Sequence, residues 1–135
     1  MPAVGDSAVT QVYYELGIVK KVVLTVAFDS GDGSFTATAL TTRLDGFLHK
    51  IVTDPGSTAP TDNYDVTLLD DEGVDVLQTT GENRDTANTE TAHIVYSGTT
   101  VHPCVSQADT LTLTITGNSQ TSATTVITIY YSAMS

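Results

Sequence analysis

The sequence predicts an all-β protein: a single-domain, two-sheet β-sandwich of about eight to ten short strands, jelly-roll or immunoglobulin-like. Three observations carry this. Apolar residues alternate with polar ones at period two over several short runs, and no stretch shows a helical period. Clusters of Gly, Asp, Pro and Ser separate those runs at short intervals. The composition is rich in Thr and Val and poor in Lys and Glu, and β-branched side chains suit a pleated surface better than a helix.

The elements follow in order. Residues 1–10 are small and polar and are expected to form an N-terminal arm. Val12–Leu16 is a candidate first strand. In Val19–Phe28, Val22, Leu24, Val26 and Phe28 share one face, which argues strand. Asp29–Gly33 is a dense turn signal, and Ser34–Leu40 alternates again, so the two runs read as a hairpin. Phe47–Thr53 is next and ends at Asp54-Pro55-Gly56, where Pro removes a donor and Gly is expected to supply positive φ. Tyr64, Val66 and Leu68 alternate up to Asp70-Asp71-Glu72-Gly73, the signature of a type I turn with a Gly bulge, and Val74–Leu77 returns. Residues 78–90 form a polar loop. Thr91–Tyr96 and Val101–Val105 are short strands. Thr110–Thr116 is the clearest pattern, with Leu111, Leu113 and Ile115 inward and threonines outward. Thr124–Tyr131 closes the sheet. It is apolar on both faces, so it is either central or covered by a partner subunit.

A chain of 135 residues is most simply one domain, here residues 1–135, able to bury roughly two-thirds of its unfolded surface. Its 40% hydrophobic content is grouped in short runs, as in a globular chain. The formal charge is −11, and the five basic residues (Lys20, Lys21, Arg43, Lys50, Arg84) all precede residue 85. A field of that sign repels phosphate backbones and anionic membranes, so neither nucleic acid nor membrane is an expected partner. Cys104 is the single cysteine, with no partner for an intrachain disulfide, and reads as a small buried hydrophobe. The N-terminal MPAVGDSAVT has neither a basic n-region nor an apolar h-region, and no apolar run approaches the ~20 residues of a membrane span. The expectation is synthesis and first action in a reducing cytoplasm.

Candidate chemistry is thin. Asp29, Asp32, Asp70, Asp71, Glu72 and Asp75 carry oxygen ligands that suit calcium, but their spacing does not match an EF-hand, and tight turns use the same residues. His49, His93 and His102 are scattered, with no HxH or HExxH spacing. There is no GxSxG elbow, the GDG triplet precedes no helix, and the absence of Trp weakens a sugar-stacking platform. The reading is a non-enzymatic protein with no catalytic residue, metal ligand or cofactor. In Tyr13-Tyr14 and Tyr130-Tyr131 adjacent rings must point to opposite faces. One of each pair should enter the core, and the other should lie on the surface or under a neighbour.

The segment LDGFLHKIVTDPGSTAPTDNYDVTLLDDEGVDVL, Leu44–Leu77, and the following GENRDTANTE, up to Glu90, resemble small β-rich virion structural proteins of tailed bacteriophages. The resemblance covers about the middle third of the chain and carries over no active-site residue. It implies a virion structural role, for which head decoration (cement), neck and tail assignments all occur, and the expected one is a capsid decoration (cement) protein. Such a protein assembles in the host cytoplasm, sits on the outer surface of the head, binds the major capsid protein and stiffens the shell, as a homo-oligomer (trimer or dimer). Physical arguments narrow that group. A chain facing packaged DNA is not expected to carry −11, and scaffolding or tape-measure proteins are expected to be helical. The suspected contacts are at the two ends of the chain: Val4, Val9, Val12, Tyr13 and Tyr14, which can add a strand to a neighbour, and Val126, Tyr130 and Tyr131 on the last strand. The alternatives are a neck or tail component, or a host- or glycan-binding module working through Gln78–Glu90 and Gly117–Ala123.

Overall fold

The computed structural model describes residues 7–42, 44, 46–94, 104–105 and 110–132. Over these residues the chain is all-β. Its strands are β1 (Ala8–Tyr14), β2 (Val19–Ala27), β3 (Thr38–Ala39), β4 (Gly46–Pro55), β5 (Asp65–Leu69), β6 (Glu90–His93), β7 (Cys104–Val105), β8 (Thr112–Thr116) and β9 (Thr124–Ser132). They form two antiparallel sheets. The larger runs β1–β2–β9–β4–β6, with β7 also paired to β4, and the smaller runs β3–β8–β5. The chain changes sheet at every connection except β1–β2 and β6–β7. That alternation makes the two layers a small β-sandwich.

One apolar cluster joins the layers. Val22, Leu24 and Val26 of β2, Leu48 and Ile51 of β4, and Ile127, Ile129 and Tyr131 of β9 face Val66 and Leu68 of β5 and Leu113 and Ile115 of β8. Each such side chain contributes about 1.5–3 kcal/mol by leaving water. β9 is central, between β2 and β4, which accounts for its apolar residues on both faces. The Tyr pairs divide as expected. Tyr13 packs against the core and Tyr131 is fully buried, while Tyr14 is 53% exposed and Tyr130 lies on the outer face of the sheet.

Several local expectations are corrected. β1 begins at Ala8 and ends at Tyr14, so Ala8–Thr10 belong to the sheet, paired with Thr25–Ala27, and residues 1–6 lie outside the described residues. Val19–Phe28 and Ser34–Leu40 are not a hairpin. β2 pairs with β1 and β9, and Ser34–Leu40 shortens to Thr38–Ala39 in the other sheet, so the Asp29–Gly33 turn carries the chain between layers. Alternation identified both as strands but could not say which sheet each joins. Val74–Leu77 does not form a strand but a single bridge, Leu69 to Asp75, although the Asp70–Gly73 turn forms with Gly73 at φ 81°. Gly56 is not a positive-φ residue. It continues the ladder by donating to the Thr124 carbonyl at 2.8 Å, and a Cβ there would collide with the Thr124 side chain. The strands expected at Thr91–Tyr96 and Val101–Val105 are Glu90–His93 and Cys104–Val105, and residues 95–103 and the Cys104 side chain lie outside the described residues.

Acidic residues hold the loops. Asp29 Oδ1 accepts from the Gly31 and Asp32 amides at 2.5 and 3.1 Å. Asp75 accepts from the Leu68, Leu77 and Thr79 amides at 3.0–3.2 Å. Asp85 accepts from the Ala87 and Asn88 amides and from the Asn88 side chain. Backbone donors with no strand partner are satisfied by these carboxylates, which is the chemistry of Asx turns.

Candidate docking surface

The outer face of the larger sheet is the most distinctive surface of the molecule. Register places Tyr14 opposite Lys21, Lys21 opposite Tyr130, Tyr130 opposite Lys50, and Lys50 opposite His93. The row crosses β1, β2, β9, β4 and β6 in one line and alternates aromatic and cationic side chains. Lys21 Nζ lies 5.0 Å from the Tyr14 ring centre and 6.0 Å from that of Tyr130. Lys50 Nζ lies 4.6 Å from the Tyr130 ring centre. Each contact contributes about 0.5–1 kcal/mol at a solvent-facing site, enough to hold the lysine stems flat along the sheet with their charge outward. On one side lies a second row, Val12, Val23, Thr128, Val52 and Thr91, apolar or methyl-bearing throughout.

The β1–β2 hairpin extends this face. Leu16 is 97% exposed, Ile18 72% and Val19 65%. A cleft of about 380 Å³ opens beside them, lined by Tyr13, Tyr14, Glu15, Leu16, Val19, Lys20, Lys21 and Tyr130. Tyr131 donates to Oε2 of the cleft residue Glu15 at 2.7 Å, tying the start of the hairpin turn to the end of β9. Burial, then the Glu15 carboxylate, pushes the Tyr131 hydroxyl well above the ordinary tyrosine range, so it stays a proton donor. Beyond the cleft, the His49 ring and the Ser132 hydroxyl meet at 2.6 Å where β4 shifts register between Leu48 and Lys50.

No protein-family model, curated protein or solved structure matches this chain.

The suspected contact residues fall into four groups. Val12, Tyr14, Val126 and Tyr130 lie together on the outer face. Val9 and Tyr13 point the other way and pack against the core, and Tyr13 also accepts from the Thr42 amide at 3.2 Å. Tyr131 is fully buried and cannot touch a partner, because register turns it inward beside Ile129. Val4 lies outside the described residues. Lys21, Lys50, Leu16 and Ile18 are the contact candidates that residue-by-residue reading missed. Leu16 and Ile18, flanking Gly17 in a turn, were the available sequence signal. The lysine–tyrosine row depends on a register that no local pattern encodes.

The polar loops are knit differently. Thr86 donates from its hydroxyl to the Pro60 carbonyl at 2.5 Å, and the Asn83 amide donates to Asp65 at 2.9 Å. Asn118 accepts from the Thr61 amide and donates to the Gly33 carbonyl, both at 2.8 Å. Arg84 is buried and paired with Glu90 at 3.7 Å. Among the described residues, no group of three or more His, Cys, Asp or Glu side chains is placed to hold a metal ion.

Proposed function

We propose that this chain is a non-enzymatic structural protein of a tailed-phage virion, a decoration protein on the outside of the head that stabilises the shell. The observation that carries the reading is the exposed apolar and aromatic face of the larger sheet. Leu16, Ile18, Val19, Tyr14 and Val12 are 42–97% exposed and contiguous with the cleft. An apolar patch rimmed by charge is what a docking protein presents to its partner. The resemblance of Leu44–Glu90 to small phage virion proteins supports the same reading, and the net charge of −11 favours a position away from packaged DNA. The major capsid protein is then the partner, met through this face. Among the described residues β1 lies at the sheet edge, where a neighbour could add a strand.

The glycan-binding alternative would act through Gln78–Glu90 and Gly117–Ala123. Many polar groups there are engaged within the protein, as at Asp85, Thr86 and Asn118, which favours the sheet face over the loops. Mass spectrometry of purified particles tests the proposal. The protein is expected in stoichiometric amount, and heads assembled without it are expected to rupture at lower temperature and lower salt. Its absence from particles, or unchanged resistance of heads that lack it, contradicts the proposal.

A further inference from the structure

We infer that the face built by Tyr14, Lys21, Tyr130 and Lys50 recognises an acidic, apolar-flanked polypeptide segment of another protein. The inference rests on reading this face as the docking surface and adds the chemistry of what docks there.

Charge distribution carries it. In a chain of net charge −11, Lys20 and Lys21 line the cleft, and Lys21 and Lys50 hold their ammonium groups over Tyr14 and Tyr130. Arg84 is buried against Glu90, so its charge is not offered to a partner. Among the described residues the solvent-facing cationic side chains are therefore gathered on the one surface that also exposes Leu16, Ile18 and Val19, where Glu15 in the cleft and Asp54 on β4 are the acidic neighbours. Lys21 on β2 and Lys50 on β4 stand two strands apart, about 10 Å. Two carboxylates at that separation would meet both ammonium groups, with the Tyr130 ring between them, while apolar neighbours fill the cleft beside Tyr14 and Leu16.

Other occupants fit less well. Alternating lysine and tyrosine also suits stacked nucleobases, but a dense polyanion must approach a chain of charge −11, whereas a short segment with a few carboxylates meets far less repulsion. A symmetric pair of copies joined through this face would bring Lys21 and Lys50 of both copies into one interface, and like charges gathered across an interface cost affinity.

The test uses the full-length protein and a short capped peptide with Glu at every second position among Val and Thr, compared with its Gln counterpart. At low ionic strength the Glu peptide is expected to bind, at least about tenfold more tightly than the Gln peptide, and to weaken steeply with salt. NMR shifts are expected to centre on Tyr14, Lys21, Lys50 and Tyr130, and the double variant Lys21→Gln, Lys50→Gln is expected to lose the binding while staying folded, with a melting temperature lowered only by the lost lysine–tyrosine contacts. No binding of the Glu peptide, equal binding of the Gln peptide, or shifts centred elsewhere would overturn the inference. So would an oligothymidylate that binds the face as tightly, or self-association in sedimentation that the double variant abolishes. If the peptide binds as expected and purified heads lack the protein, the virion reading fails and the recognition chemistry stands.

Discussion

Tyr131 shows how one side chain ties the core to the β1–β2 hairpin. Its ring is fully buried and its hydroxyl donates to Glu15 at the base of the hairpin. Burial, followed by the Glu15 carboxylate, raises its pKa above the ordinary value of 10.0. A raised tyrosine pKa means that the unfolded chain releases this proton first. The contribution to stability is therefore complete below pH 10 and is lost as pH rises through and beyond the ordinary value. The melting temperature is expected to fall above about pH 10, and Tyr131→Phe is expected to flatten that fall in a calorimetric pH series. Tyr64 is pushed upward too, chiefly by burial, so the slope shrinks without vanishing. A variant that follows the wild-type curve would contradict the assignment. On the acid side, the Ser34 amide holds Asp32 below its ordinary range and the Ala87 amide does the same for Asp85. Asp32 is exposed and Asp85 half-buried, and what they contribute is lost as pH falls through their lowered values.

At the scale of the element, loops and strands differ in what could be read ahead of the structure. The β8 strand was legible because Leu111, Leu113 and Ile115 alternate strictly with threonines. The β5 strand and its Asp70–Gly73 turn were legible because turn chemistry is local. Sheet membership was not, because β2 and β3 are joined by a compact turn yet lie in different layers. The return strand after Gly73 failed to form because Asp75 turns its carboxylate onto the Leu68, Leu77 and Thr79 amides and commits the backbone to a turn. Asp75→Ala is expected to destabilise the protein by about 2–3 kcal/mol, since three backbone donors lose their acceptor. Hydrogen exchange should rise first over residues 75–81, and a loss under about 0.5 kcal/mol would show that water replaces the carboxylate. The β1–β2 hairpin makes the opposite case. Leu16 and Ile18 are 97% and 72% exposed, so Leu16→Ser with Ile18→Ser is expected to change stability by less than about 0.5 kcal/mol while weakening attachment to heads. A large drop in melting temperature would mean that the hairpin serves the fold.

At the scale of the whole molecule, the two faces of the larger sheet divide the work. The inner face packs on β5 and β8 and closes the sandwich. The outer face gathers exposed apolar groups and lysines held over tyrosines. The two ends of the described chain meet in that arrangement, since β1 and β9 both border β2 and bring Tyr14 and Tyr130 to either side of Lys21. Among the described residues three of the four basic side chains, Lys20, Lys21 and Lys50, lie at this face or its cleft, while Arg84 is buried against Glu90. A cryo-electron reconstruction of the purified particle at side-chain resolution tests this most directly. The account predicts density for the sandwich outside the shell, with Tyr14, Lys21, Tyr130 and Lys50 buried against acidic groups of a capsomer. A sandwich that meets its neighbours through the 78–90 and 117–123 loops, leaving the outer sheet face in solvent, would contradict it.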